Sequence, residues 1–129
     1  MRWTFGVVLQ VLFLFLLAAV CEIGGGWLVW QAVRERRPAW WAAVGSALLV
    51  LYGFSITLQP LEEFGRLYAV YGGLFIACSF LWARVFDGFR PDLGDAVGCA
   101  LCLAGAGAIL FWPRALQALP QGPADEARL

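Results

Sequence analysis

Four long apolar runs divide this chain, each ended by a short polar or proline-bearing segment. The first covers about Phe5 to Val33 and stops at Arg34-Glu35-Arg36-Arg37-Pro38. The second, about Trp40 to Leu58, stops at Gln59-Pro60. The third, about Arg66 to Phe86, gives way to Asp87-Gly88-Phe89-Arg90-Pro91-Asp92, and the fourth, about Gly94 to Trp112, stops at Pro113. A helix needs ~20 residues to cross the hydrocarbon of a bilayer, and each run is long enough. None shows the two-residue alternation of a membrane barrel strand, so helices are predicted. The short connections predict antiparallel neighbours. The pattern therefore predicts an all-α membrane protein, with one four-helix transmembrane domain over residues 1–113. A polar, proline-containing tail over residues 114–129 is expected to be disordered.

Composition sharpens this reading. The chain is 62% hydrophobic and 14% charged, with a mean hydropathy of +0.77, too little charge to coat a water-soluble domain of this size. The net charge is zero, so nucleic acid is not an expected partner and the lipid bilayer is. The sequence contains no Lys and no His, which removes His-based catalysis and His metal ligation. Cys21, Cys78, Cys99 and Cys102 all lie in apolar runs and read as small packing residues. Cys99 and Cys102 lack a second pair to complete a zinc site, so neither a metal nor a cofactor is expected. The N-terminus has the outline of a signal peptide, but Val20 is too large for a residue before a cleaved bond. The apolar stretch also continues past Cys21 to Val33, so a retained helix is expected.

Arginines orient the bundle. Arg34, Arg36, Arg37, Arg84 and Arg90 lie at the first and third connections, against Arg2, Arg66, Arg114 and Arg128 on the opposite side. This narrow excess predicts cytoplasmic first and third connections and both termini outside, and is also compatible with insertion both ways round. Trp3, Trp40, Trp41 and Trp112 lie near run ends, where an interfacial aromatic belt belongs. Arg84, Asp87, Asp92 and Asp95 read as interfacial charges and helix caps.

Within this apolar chain Glu22 stands out. It is the only charged residue between Arg2 and Arg34. A charged side chain at the bilayer centre costs roughly 2.5–3.5 kcal/mol on insertion scales and commonly marks an ion or proton pathway. Phe15, Ala18, Ala19, Gly25, Gly26 and Val29 share its helix face at three- and four-residue steps. Most are small, which lets another helix approach and turns Glu22 toward protein or a cavity. An apolar setting favours the neutral form of a carboxyl group, so the position suits proton exchange; a neutral glutamic acid bonding between helices is the plainer alternative. Gly25 and Trp27, close by, complete the candidate proton and substrate site with Tyr68 and Tyr71, which lie one turn apart on the third run. Tyrosines beside a carboxylate can cage an organic cation, or they can simply pack. Gly72 and Gly73 follow, a candidate hinge. On the fourth run Gly98, Leu101 and Gly105 form a small-residue surface suited either to a homodimer or to packing within the bundle.

Several segments resemble the YnfA family of small bacterial inner-membrane proteins. They are Glu22 to Trp30, Leu51-Tyr52-Gly53, Thr57-Leu58-Gln59-Pro60, Phe64 to Gly73, and Asp87-Gly88-Phe89-Arg90-Pro91-Asp92. That family is in turn similar to the small multidrug resistance transporters, whose first helix carries an Ala-Glu-x-x-Gly motif. Glu22 and Gly25 match it, and Cys21 replaces the alanine. Tyr68, Tyr71, Gly72 and Gly73 resemble the aromatics and glycine kink of the third helix there, with Tyr71 standing where those proteins usually have Trp. Gly98, Leu101 and Gly105 match the spacing of their dimerising stripe. The resemblance implies a homodimeric, proton-coupled exporter of small or hydrophobic cations in the bacterial plasma membrane, with Glu22 as the shared proton and substrate site. The rival expectation is a non-transporting assembly or accessory protein. An enzyme is not expected, because the one buried carboxylate has neither a partner acid or base nor a nucleophile.

Overall fold

The computed structural model describes residues 4–114. Among these, four helices are long and apolar enough to cross a membrane, and no strand occurs. They are α1 (Phe5–Val33), α2 (Trp40–Ser55, extended by a 3₁₀ turn over Ile56–Leu58), α3 (Phe64–Phe86) and α4 (Leu93–Phe111). The architecture is the one the hydropathy pattern predicts, with ends displaced by a residue or two at most outside the 3₁₀ turn. Met1 to Trp3, and the tail beyond Arg114, lie outside the described residues, as do the expectations placed on them.

Local chemistry sets each boundary. Thr4 caps α1, its hydroxyl accepting from the Val7 N–H at 3.4 Å. Helix α2 tightens to 3₁₀ where the Ser55 and Thr57 hydroxyls donate to the carbonyls of Tyr52 and Phe54. Pro60 then forces the preceding Gln59 out of the helical region, to φ −67° and ψ 138°. Helix α3 ends at Asp87, and Gly88 supplies the left-handed φ of 66° that lets the Phe89 N–H reach back to the Ala83 carbonyl. Asp92 and Asp95 form a reciprocal capping box on α4, so the caps expected there are present. Arg114 folds back to donate to the Ile109 carbonyl at 2.6 Å, a cation at the negative end of the helix.

The bundle is built as two hairpins, α1 with α2 and α3 with α4, joined along α1 and α3. Glycines set the closest approaches. A Cβ on Gly25 would stand 2.7 Å from the Gly45 carbonyl oxygen, and one on Gly45 would stand 2.5 Å from that of Gly25. In the second hairpin a Cβ on Gly73 would meet the Ala106 Cβ at 2.5 Å and the Cys102 oxygen at 2.8 Å. Lipid is as apolar as leucine, so such backbone proximity, with its van der Waals contact, is what holds helices together in a membrane. The core joining the hairpins contains Val11, Phe15, Ala18, Ala19, Ile56, Leu67, Val70, Tyr71, Ala106 and Leu110. Helix α4 contributes only Ala106 and Leu110 to the buried set, with Ile109 packed partly against it, while Leu93, Val97, Leu101 and Leu103 face outward.

Candidate membrane-embedded carboxylate site

Glu22 lies in the second half of α1, on the side that meets α3. The Tyr71 hydroxyl donates to its Oε2 at 2.7 Å. Tyr71 is 3% exposed, and its ring is fixed by neighbours on three helices. Phe15 stacks on it at 5.5 Å and Tyr52 at 5.9 Å, each at 28° between planes. Tyr68 meets it edge-on at 6.4 Å, and Phe75 lies at 5.8 Å. The three tyrosines of the chain thus gather beside the one carboxylate set deep in an apolar run. Glu22 itself is half-buried.

The other candidate residues are distributed differently. Phe15, Ala18, Ala19 and Gly25 on the Glu22 face are buried, whereas Gly26 is exposed. Gly25 is occupied by the crossing with Gly45 on α2. Trp27 lies five residues beyond Glu22, ~7.5 Å along the helix, in a second aromatic group. Its indole N–H donates to Asp87 Oδ1 at 2.9 Å, and its ring packs near Trp41, Trp82 and Phe86. Tyr68 stands at the edge of the tyrosine group, 36% exposed and packed on Phe64. Gly72 and Gly73 lie inside one continuous helix. Gly73 seats α4, and Gly72 has open space where a side chain would be. Gly98 and Gly105 also face open space, and Leu101 is 69% exposed, so within the described residues this surface is not used for packing inside the bundle.

Tyr52 is the residue that sequence reasoning did not assign to the site. Its position in the middle of the second apolar run was visible, but its alignment with Tyr71 depends on how α2 crosses α1. Near the opposite end, Arg66 pairs with Glu63 at 2.6 Å. The cysteines are unpaired, and no group of three His, Cys, Asp or Glu residues capable of holding a metal occurs among the described residues.

A half-buried carboxylate with a tyrosine donor that is itself set among aromatic rings can accept a proton. It can also attract an organic cation through its charge and through the faces of the rings. Residues 8–115 match the family described as "Uncharacterised BCR, YnfA/UPF0060 family". A UPF0060 membrane protein of Arthrobacter sp. (strain FB24) is 60% identical over 101 residues, covering 78% of this chain and 89% of that relative. One from Mycobacterium marinum is 56% identical over 109 residues, covering 84% and 99%. One from Mycobacterium bovis BCG is 52% identical over 108 residues, covering 84% and 98%. No solved structure matches the chain. With a family match over most of its length and relatives of this identity and coverage, the chain is a four-helix membrane protein that belongs to the YnfA/UPF0060 family.

Proposed function

We propose that this protein is a proton-coupled exporter of small or hydrophobic cations, working as a homodimer in the bacterial plasma membrane. The observation that carries this reading is Glu22, on a membrane-spanning helix and held by Tyr71, whose ring packs against the other two tyrosines. A proton and a cation compete for that carboxylate. A proton arriving from outside releases the cation, and a cation arriving from inside releases the proton. The helices rock about the midplane site to open it to each side in turn. The direct test is cation efflux from cells and uptake into everted membrane vesicles, across a panel of cationic dyes and biocides under an imposed pH gradient. Absence of gradient-driven movement for every cation in the panel would favour an assembly or accessory role.

The dimer reading rests on the outward face of α4. Gly98 and Gly105 are seven residues apart, two helical turns, and a side chain at either would meet nothing within 4 Å among the described residues of its own chain. A second copy can approach there as α4 approaches Gly73 within the bundle. Gly105→Leu is expected to leave insertion and helix content unchanged while abolishing crosslinked dimer in membranes and export with it. A variant that still crosslinks and exports as wild type puts the interface elsewhere. A monomeric variant that still exports contradicts a site shared between two copies.

In the proposed orientation Arg34, Arg36 and Arg37 are cytoplasmic and both termini are outside. A reporter active only in the cytoplasm should stay silent at the C-terminus. Activity there, with no outward form detectable, reverses the orientation, and equal signals from inward and outward reporters indicate dual insertion.

A further inference from the structure

The fold sorts the polar side chains of α2 and the turn after it. Ser46 and Thr57 are exposed, whereas Ser55 and Gln59 are 6% and 8% exposed, the buried polar residues among those described. Both face protein and not lipid. Gln59 Nε2 donates across to the Val11 carbonyl of α1 at 3.2 Å, and Ile56, beside Ser55, belongs to the core joining the hairpins. Ser55 lies one turn before Gln59 and three residues after Tyr52, whose ring stacks on Tyr71. Tyr71 in turn donates to Glu22. A line of polar groups therefore runs through otherwise apolar packing, from the central carboxylate to the connection between α2 and α3. Val11 to Glu22, ~16 Å of α1, sets its length. At its outer end lies a cavity of about 360 Å³, lined by Pro60, Leu61, Glu62, Glu63 and Arg66. Leu61 also packs against the core, so this polar mouth lies directly beside Gln59.

The Gln59 amide is only half satisfied. Its Nε2 faces the Val11 carbonyl, which fixes the way the amide points, and Oε1 is buried without a donor among the described residues. A polar atom enclosed by protein is costly unless hydrogen-bonded, and ordered water is the usual donor where protein supplies none. The Ser55 hydroxyl gives its hydrogen to the Tyr52 carbonyl at 2.8 Å, and its oxygen keeps lone pairs to accept another. Apolar side chains would fill either position at lower cost, so packing alone does not call for these two residues. We infer that Tyr52, Ser55 and Gln59 form the access lane by which protons reach Glu22 from the α2–α3 end, with water held on Gln59 Oε1 as its outer link. Each hydroxyl or water turns, takes a hydrogen from its outer neighbour and passes its own inward. One proton enters at the mouth, one arrives on the Glu22 carboxylate, and no link keeps a charge. Gln59 holds the water and does not itself titrate. The titratable and charged groups along the lane are Glu22 and the three tyrosines at its inner end, and Glu62, Glu63 and Arg66 at its mouth. The lane exists whether or not the protein transports; that its protons are exchanged for a cation rests on the exporter reading.

The experiment is time-resolved infrared spectroscopy of the full chain in nanodiscs after a flash-released proton. The carboxylic-acid band that disappears in Glu22→Gln reports the rate at which Glu22 protonates, and a static titration of the same band gives its midpoint. Gln59→Met keeps the length of the side chain and removes the oxygen that holds the water. It should slow protonation of Glu22 by about tenfold or more while leaving the midpoint unchanged, because a lane sets the rate and not the equilibrium. Ser55→Ala should slow it as well, and Ser46→Ala, on the exposed side of the same helix, should not. A merely structural role gives a different signature: a loosened bundle admits water, which speeds protonation and moves the midpoint. Wild-type rates in both Gln59→Met and Ser55→Ala would overturn the inference, and so would faster protonation in either, which would make these residues a seal. Should Gln59→Met fail to assemble, the rate in Ser55→Ala decides alone. Neither a cation nor a gradient enters this measurement. The exporter reading fails by a different result, pH-driven export by the Glu22→Gln protein.

Discussion

Glu22→Gln is expected to lower pH-driven cation export by at least ~100-fold, because no other carboxylate lies in the middle of a membrane-spanning helix among the described residues to couple a proton to the cation. The substitution keeps the size of the side chain and an oxygen that can accept from Tyr71, so the bundle should assemble normally. Helix content and detergent elution should match the wild type. Tyr71→Phe removes the donor at 2.7 Å but keeps the ring between Phe15, Tyr52 and Phe75. A hydrogen bond to a charged group contributes about 1.5–3 kcal/mol, so export or cation affinity should change by roughly 10- to 100-fold without loss of the fold. The two variants separate chemistry from positioning. Uptake into everted vesicles reads both, and normal export by the glutamine protein would contradict the mechanism.

The largest structural effect is expected at the crossing of α1 and α2. Gly25→Ala or Gly45→Ala places a methyl group within 2.7 Å of the facing carbonyl oxygen, a distance that the two helices can relieve only by separating. Overpacking of this kind costs about 1–3 kcal/mol, and leucine at either position should prevent the hairpin from closing. Gly72→Ala is the control: it lies in a helix interior with open space around it and should be neutral or slightly stabilising. Denaturant titration of the purified proteins reads the differences. Equal stability of Gly25→Ala and Gly72→Ala would mean that the two helices cross at a greater separation than these contacts require.

The helices were legible in the sequence because each is written locally. An apolar run of membrane-spanning length ends at Pro38, Gln59-Pro60, Gly88 or Pro113, and Asp92 with Asp95 spells out a cap. Glu22 was legible for the same reason, a single charge in an apolar segment. Pairings between helices were not. Gly25 carries the same local signal whether it lines a cavity or meets Gly45, and only the α1–α2 crossing decides. Gly73 looked like a hinge by composition, and it is where α4 approaches most closely. Tyr52, Tyr68 and Tyr71 lie on two helices, and their meeting beside Glu22 depends on both hairpins docking in register. Trp27 and Asp87 are sixty residues apart, so nothing near either residue announces their hydrogen bond.

Proton release on cation binding tests the central claim most directly. Purified protein in weakly buffered detergent is mixed with a cation that its own efflux screen has identified, and the pH change is recorded alongside the amount bound. Competition at Glu22 predicts that the wild type releases protons in proportion to the cation bound, and that the release disappears in Glu22→Gln. Saturable binding by the wild type with no proton released, or equal release by the glutamine variant, would contradict the account.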